Sequence, residues 1–199
     1  MKTMHFVLAA VCAAALAPAM AQRAPMFAAS HLDAVKRLSP EQRQERQFLR
    51  EAAAHLRLQT EASRLALAKS ANTAVREIAA ALLNHGNATQ PELLHLLHVR
   101  GMALPLMGGD EAKLLKRLNK AGGAGFDRIY LQEVALRTSE ADAMLYERML
   151  RDTHDTQLRA WLERHLATVR YHATLAGRAA AALAGSRRLS GAISAPSSL

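Results

Sequence analysis

Residues 39–69 read SPEQRQERQFLREAAAHLRLQTEASRLALAK. Ser39 suits a helix cap, Pro40 fits a first helical turn, and Gln42 stands three residues after the cap, the spacing of a capping box. Neither Gly nor Pro interrupts the rest of the stretch. Ala54, Leu58, Glu61, Leu65 and Ala68 recur at steps of four and three, which predicts one helix face. The stretch therefore predicts a long amphipathic helix.

Moving downstream, Asn72 or Thr73 starts a second helix, with Val75, Ile78, Leu82 and His85 on one face. Gly86, Asn87 and Pro91 fall inside it, and Thr89-Gln90-Pro91-Glu92 is itself a capping-box pattern. An interior Pro loses a hydrogen bond and clashes with the preceding turn, at about 3 kcal/mol. The helix is expected to kink or break near 86–90 and resume to Arg100. Gly101 to Gly109 reads as a loop, and Asp110 as the cap of a short helix ending near Lys120. After a turn at 121–125, a third long helix is expected from Phe126 to Arg151. Asp152-Thr153-His154-Asp155 offers a break and a new cap. The fourth long helix then runs to about Ala184, with Leu158, Leu162, His165, Val169, His172 and Ala176 on its buried seam. No strand alternation occurs anywhere, and an aromatic content of 4% speaks against a β-sandwich or barrel. The expected fold is all-α: a four-helix bundle, with a short accessory helix in the crossover between the second and third long helices.

Upstream, Lys2, the apolar run Phe6 to Leu16 and Ala19-Met20-Ala21 form the pattern of a secretory signal over residues 1–21. The run is shorter than the roughly 20 residues that span a bilayer. Residues 22–38 read as a linker, 39–185 as the bundle, and 186–199, rich in Ser, Gly and Ala, as a disordered tail. The expectation is a periplasmic or secreted protein with no transmembrane segment after signal cleavage. Cys12, the single cysteine, leaves with the signal, so the mature chain has no disulfide chemistry.

The chain carries 26 Lys and Arg against 17 Asp and Glu, a net +9, and 20 of the basic residues are Arg. Such a chain attracts polyanions. No aromatic residues interleave with the basic ones, and no zinc finger or RNA-binding motif occurs, which argues against nucleic acid. The charge reads either as a plain solvated basic surface or as a surface for anionic components of the cell envelope, the expected partners. Nucleophilic catalysis has no support: there is no Gly-x-Ser-x-Gly, no mature Cys and no phosphate-binding Gly loop. A non-catalytic role without a cofactor is expected.

Polar residues on the apolar seams carry the alternative. Glu61, His85 and His172 come from three helices, and bundle cores converge such residues on metals. The set suits a single transition metal ion, zinc or copper. A di-iron centre fails, because Leu82 and Val169 stand where Glu-x-x-His pairs need Glu. The other reading is a buried polar network of Glu61, His85, Glu133, Arg137 and His172, with Glu61 pairing Arg137. Spacing alone leaves both open.

Several stretches, in order, resemble an exported bacterial family, domain of unknown function 4142. They are Phe48-Leu49-Arg50-Glu51-Ala52, Glu61 with Leu65-Ala66, Val75-Arg76-Glu77-Ile78-Ala79, Asn84-His85, and Leu104-Pro105. Phe126-Asp127-Arg128-Ile129-Tyr130, Leu158-Arg159-Ala160-Trp161 and His172-Ala173 complete the series. The resemblance covers about Phe48 to Ala180. It implies a ferritin-like helical bundle and export, and implies no activity. The family pattern has Asp-His where this chain has Asn84-His85, and a His where Arg137 stands. Both departures remove groups that bind metals or handle protons.

Overall fold

The computed structural model describes residues 38–193. The signal reading at 1–21, nearly all of the linker, and residues 194–199 lie outside them. Every element among the described residues is helical: α1 (Pro40–Lys69), α2 (Thr73–His98), α3 (Gly109–Lys120), α4 (Gly123–Ile129), a π-helical segment (Tyr130–Leu136), α5 (Arg137–Asp152) and α6 (Thr156–Ile193). The fold is all-α, as expected. No helix among the described residues is long and apolar enough to cross a membrane.

Local chemistry sets most boundaries. The Ser39 hydroxyl accepts from the Gln42 amide at 3.1 Å and the Gln42 side chain accepts from the Ser39 amide at 2.9 Å, completing the capping box. Asn72 Oδ1 accepts from the Val75 amide, and Asp155 Oδ1 from the Leu158 amide at 2.8 Å. Four expectations need correction. The cap of α3 is Gly108, not Asp110, which sits in the first turn and bonds Lys113. The third long helix starts at Gly123, where Gly122 in an extended conformation already permits entry, and α4, the π segment and α5 follow without a gap as one rod, alongside the rods α1, α2 and α6. The last helix continues to Ile193 rather than ending near Ala184, so the tail expected to be disordered from 186 is helical as far as Ile193; no Pro occurs between Thr156 and Pro196. And α2 does not break near 86–90: it runs as one continuous helix through Gly86 and Pro91. Tertiary packing holds it: a Cβ on Gly86 would lie 2.4 Å from Thr60 Oγ1, so the glycine lets α2 approach α1 closely. Pro91 is exposed, so its lost hydrogen bond leaves the Asn87 carbonyl to solvent.

Four rods close a ring. α1 packs on α2, α2 on α6, α6 on α5 and the π segment, and these in turn on α1. The second and third rods are thus mainly diagonal neighbours, which is why a crossover containing α3 joins them, with α3 lying against α1. Two apolar clusters fill the interior. One gathers Phe48, Leu49, Leu56, Leu97, Tyr146, Leu158, Trp161 and Leu162. The other gathers Ala62, Val75, Leu82, Leu118, Phe126, Tyr130, Val134 and Ala176. Between them lies a polar waist drawn from all four rods: Gln59, Thr60 and Ser63, then Thr89, then Thr138, Ser139 and Asp142, and His172, all buried.

Candidate functional site

The waist has two halves. On the α2–α6 side three imidazoles meet. The rings of His85 and His172 are 5.0 Å apart between centroids, and those of His85 and His165 5.7 Å, all edge-to-face. Thr89, one turn after His85, places its hydroxyl 3.4 Å from His85 Nδ1 and 3.5 Å from His165 Nδ1. His165 Nε2 donates to Glu92 at 3.1 Å, and Arg164 bonds the same carboxylate at 3.0 Å. Burial, and then the neighbouring His172 and His165, push His85 down to about 4. Burial also lowers His172. Both rings are therefore neutral near neutral pH. Hydrogen bonds from His165 and Arg164 lower Glu92. The Trp161 ring lies 4.8 Å from His165, and its buried indole N–H has no partner among the described residues.

On the α1–α5 side, His55 Nδ1 donates to Asp142 Oδ1 at 2.6 Å. Gln59 Nε2 donates to Asp142 Oδ2 at 3.3 Å and reaches Ser139 Oγ at 3.4 Å. Burial pulls His55 down, but the Asp142 bond and charge outweigh it and hold the ring above its usual value. Burial pushes Asp142 up against the pull of His55. Ser63 and the Tyr130 hydroxyl bond at 2.9 Å one level further along.

The residues expected from sequence are only partly assembled here. His85 and His172 meet, and His165, read as a mere seam filler, joins them. Glu61 does not. Its side chain is 46% exposed and accepts from Arg64 at 2.7 Å. Arg137 is 77% exposed and bonds Glu133 at 3.3 Å on the surface. The expected Glu61–Arg137 pair is therefore absent, and Glu133 and Arg137 belong to no buried network. The reason is register: α1 buries Leu49, Ala52, Leu56, Gln59, Ser63 and Ala66, a face rotated away from Glu61. As a metal centre the imidazole cluster lacks Glu61, the carboxylate expected for it. Among the described residues no group of three or more His, Cys, Asp or Glu is arranged to hold an ion.

The outer face of α1 carries a second constellation. Arg43, Arg50, Arg57 and Arg64 recur every seven residues and all are exposed; seven residues are nearly two helical turns, so they share one stripe. Glu61 is the acidic residue interleaved with them. Arg57 and Arg64 also border a groove of about 290 Å³ between α1, α2 and the loop after α2, floored by Ala53, Leu56, Leu93 and Leu94.

A family model described as a domain of unknown function (DUF4142) matches residues 28–178. No curated protein and no solved structure matches the chain.

Proposed function

We propose that this chain, which belongs to the DUF4142 family, is a non-catalytic binding protein of the cell envelope that holds anionic envelope components on the arginine stripe of α1. The observation that carries this reading is the stripe itself: four exposed arginines in one line, with one glutamate among them. Arginine forks match phosphate and carboxylate oxygens in pairs, so a line of them suits a surface of repeated anions better than a single small ligand. The signal-like residues 1–21 support a place in the periplasm or outside the cell.

The test is binding to lipopolysaccharide and to a soluble polyanion such as dextran sulfate. Raising ionic strength from about 0.01 to about 1 M shortens screening from about 30 to about 3 Å and should abolish it. Arg50→Gln with Arg57→Gln should weaken binding by about 2 kcal/mol, near 1 kcal/mol for each basic group at an anionic surface. Glu61→Gln frees Arg64 and should tighten it. Binding indifferent to salt and to all three substitutions sinks the reading.

A second reading is metal capture at the waist, favoured by the meeting of the His165 and His172 rings with that of His85. Neutral imidazoles suit zinc or copper. Elemental mass spectrometry of the purified protein decides it: about one equivalent, lost in His85→Ala and in His172→Ala, is required.

A further inference from the structure

α2 ends at His98, and three residues on Gly101, with a φ of 61°, turns the chain away from the helix. The segment that follows reads Met102-Ala-Leu-Pro-Leu-Met-Gly108. Leu106 is 87% exposed and Leu104 43%. Val99 and Leu94, on the last turns of α2, are also exposed. Single exposed leucines are ordinary. These four lie on one stretch of chain, and Leu94 and Leu104 line the same groove as Arg57 and Arg64. The loop is also anchored to α1 beyond that groove, because Arg46 donates to the Arg100 carbonyl. An apolar tip and an arginine stripe thus share one side of the bundle.

We propose that this side docks on the surface of an anionic lipid bilayer. The arginines of α1 meet lipid phosphates, and the Leu104-Pro105-Leu106 tip enters the boundary between headgroups and acyl chains. The proposal rests on the anion-binding reading and names the anion. Charge complementarity calls for an anionic surface, and the exposed Leu104 and Leu106 select a lipid surface over a soluble polyanion. Both satisfy arginine, but only the bilayer offers an apolar layer a few ångströms beneath its phosphates for Leu106. Pro105 fixes one backbone torsion in the tip, so less conformational freedom is lost when it inserts. The depth required is small, about 5–10 Å into the headgroup boundary, which a short loop beside a helix reaches without unfolding.

The test uses the full chain with a reporter at the tip. Leu106→Trp places an indole at an exposed position that touches no core. Met144→Trp places one on α5, where Met144 is 62% exposed. Vesicles of phosphatidylglycerol, and of phosphatidylcholine as the neutral comparison, are added to each. The expected result is a blue-shifted emission for the residue-106 reporter with phosphatidylglycerol alone, quenched by brominated acyl chains, and none for the residue-144 reporter. Because the readout is local, membrane contact made elsewhere in the chain does not imitate it. Leu106→Ser should weaken vesicle binding about tenfold or more, the loss expected when one leucine is no longer buried, and leave dextran sulfate binding unchanged. An unshifted residue-106 reporter on vesicles that do bind the protein in a salt-sensitive way overturns this proposal and leaves the anion reading standing. So does equal quenching at both positions. Failure to bind vesicles, lipopolysaccharide and dextran sulfate alike overturns both.

Discussion

His85 has the most perturbed environment among the imidazoles of the waist. Burial and two neighbouring histidines bring it down to about 4, while an unfolded chain protonates it near 6.5. Between those values the unfolded state binds more protons, so acid favours unfolding. The stability held above about pH 6.5 is lost as pH falls toward 4, and His85 alone accounts for about 3 kcal/mol of it. His172 acts in the same direction, and so does Glu92, whose bonds to His165 and Arg164 weaken once it protonates. His55 acts oppositely, because its raised value stabilises the fold at and below its ordinary range. Urea unfolding at about pH 7 and about pH 4 separates these contributions. His85→Gln should flatten the difference between the two by about 3 kcal/mol relative to the parent. An unchanged difference would mean that His85 is not held neutral by its surroundings.

At the scale of elements, the starts of α1, α2 and α6 were legible in the sequence because their capping chemistry is local. Ser39 with Gln42, Asn72 and Asp155 act on amides three residues away. The buried face of α1 was not legible. Gln59, Thr60 and Ser63 are buried, while Leu65 and Ala68 are not, so apolar spacing pointed to Glu61 instead. The third rod hid its register for another reason. Through the π-helical segment the Arg137 amide bonds the Gln132 carbonyl, five residues back, and buried positions recur in steps of four from Asp127 to Ser139. A reading with 3.6 residues per turn drifts there, and Glu133 and Arg137 drift with it. The close approach of α2 to α1 depends on Gly86 facing Thr60, a contact invisible along the chain. Gly86→Ala should gain about 1 kcal/mol of helix propensity yet destabilise by about 1–3 kcal/mol through overlap, because Thr60 Oγ1 is held by the Leu56 carbonyl at 2.7 Å. Adding Thr60→Ala leaves an ordinary 3.6 Å contact, so the double variant should be at least as stable as Thr60→Ala alone. Gly86→Ala alone being stabilising would show that the helices have room to separate.

At the scale of the molecule, a polar waist between two apolar clusters asks why one continuous core was not used. Its His55–Asp142 half pairs a half-buried imidazole with a buried carboxylate whose desolvation offsets much of the attraction. Removing one partner strands the other, so Asp142→Ala should destabilise by about 3–5 kcal/mol. Replacing the group together, with His55→Leu, Gln59→Leu and Asp142→Val, should be neutral or stabilising by about 1–4 kcal/mol, because the two clusters then merge across that half. Thermal unfolding followed by circular dichroism reads both. If the triple variant is the more stable and remains folded, the waist lowers stability relative to an apolar core. Its retention then points to a role in function or in fixing helix register. If the triple variant loses as much as Asp142→Ala, the hydrogen bonds of the waist hold the rods together, and the histidines beside them need no task beyond that one.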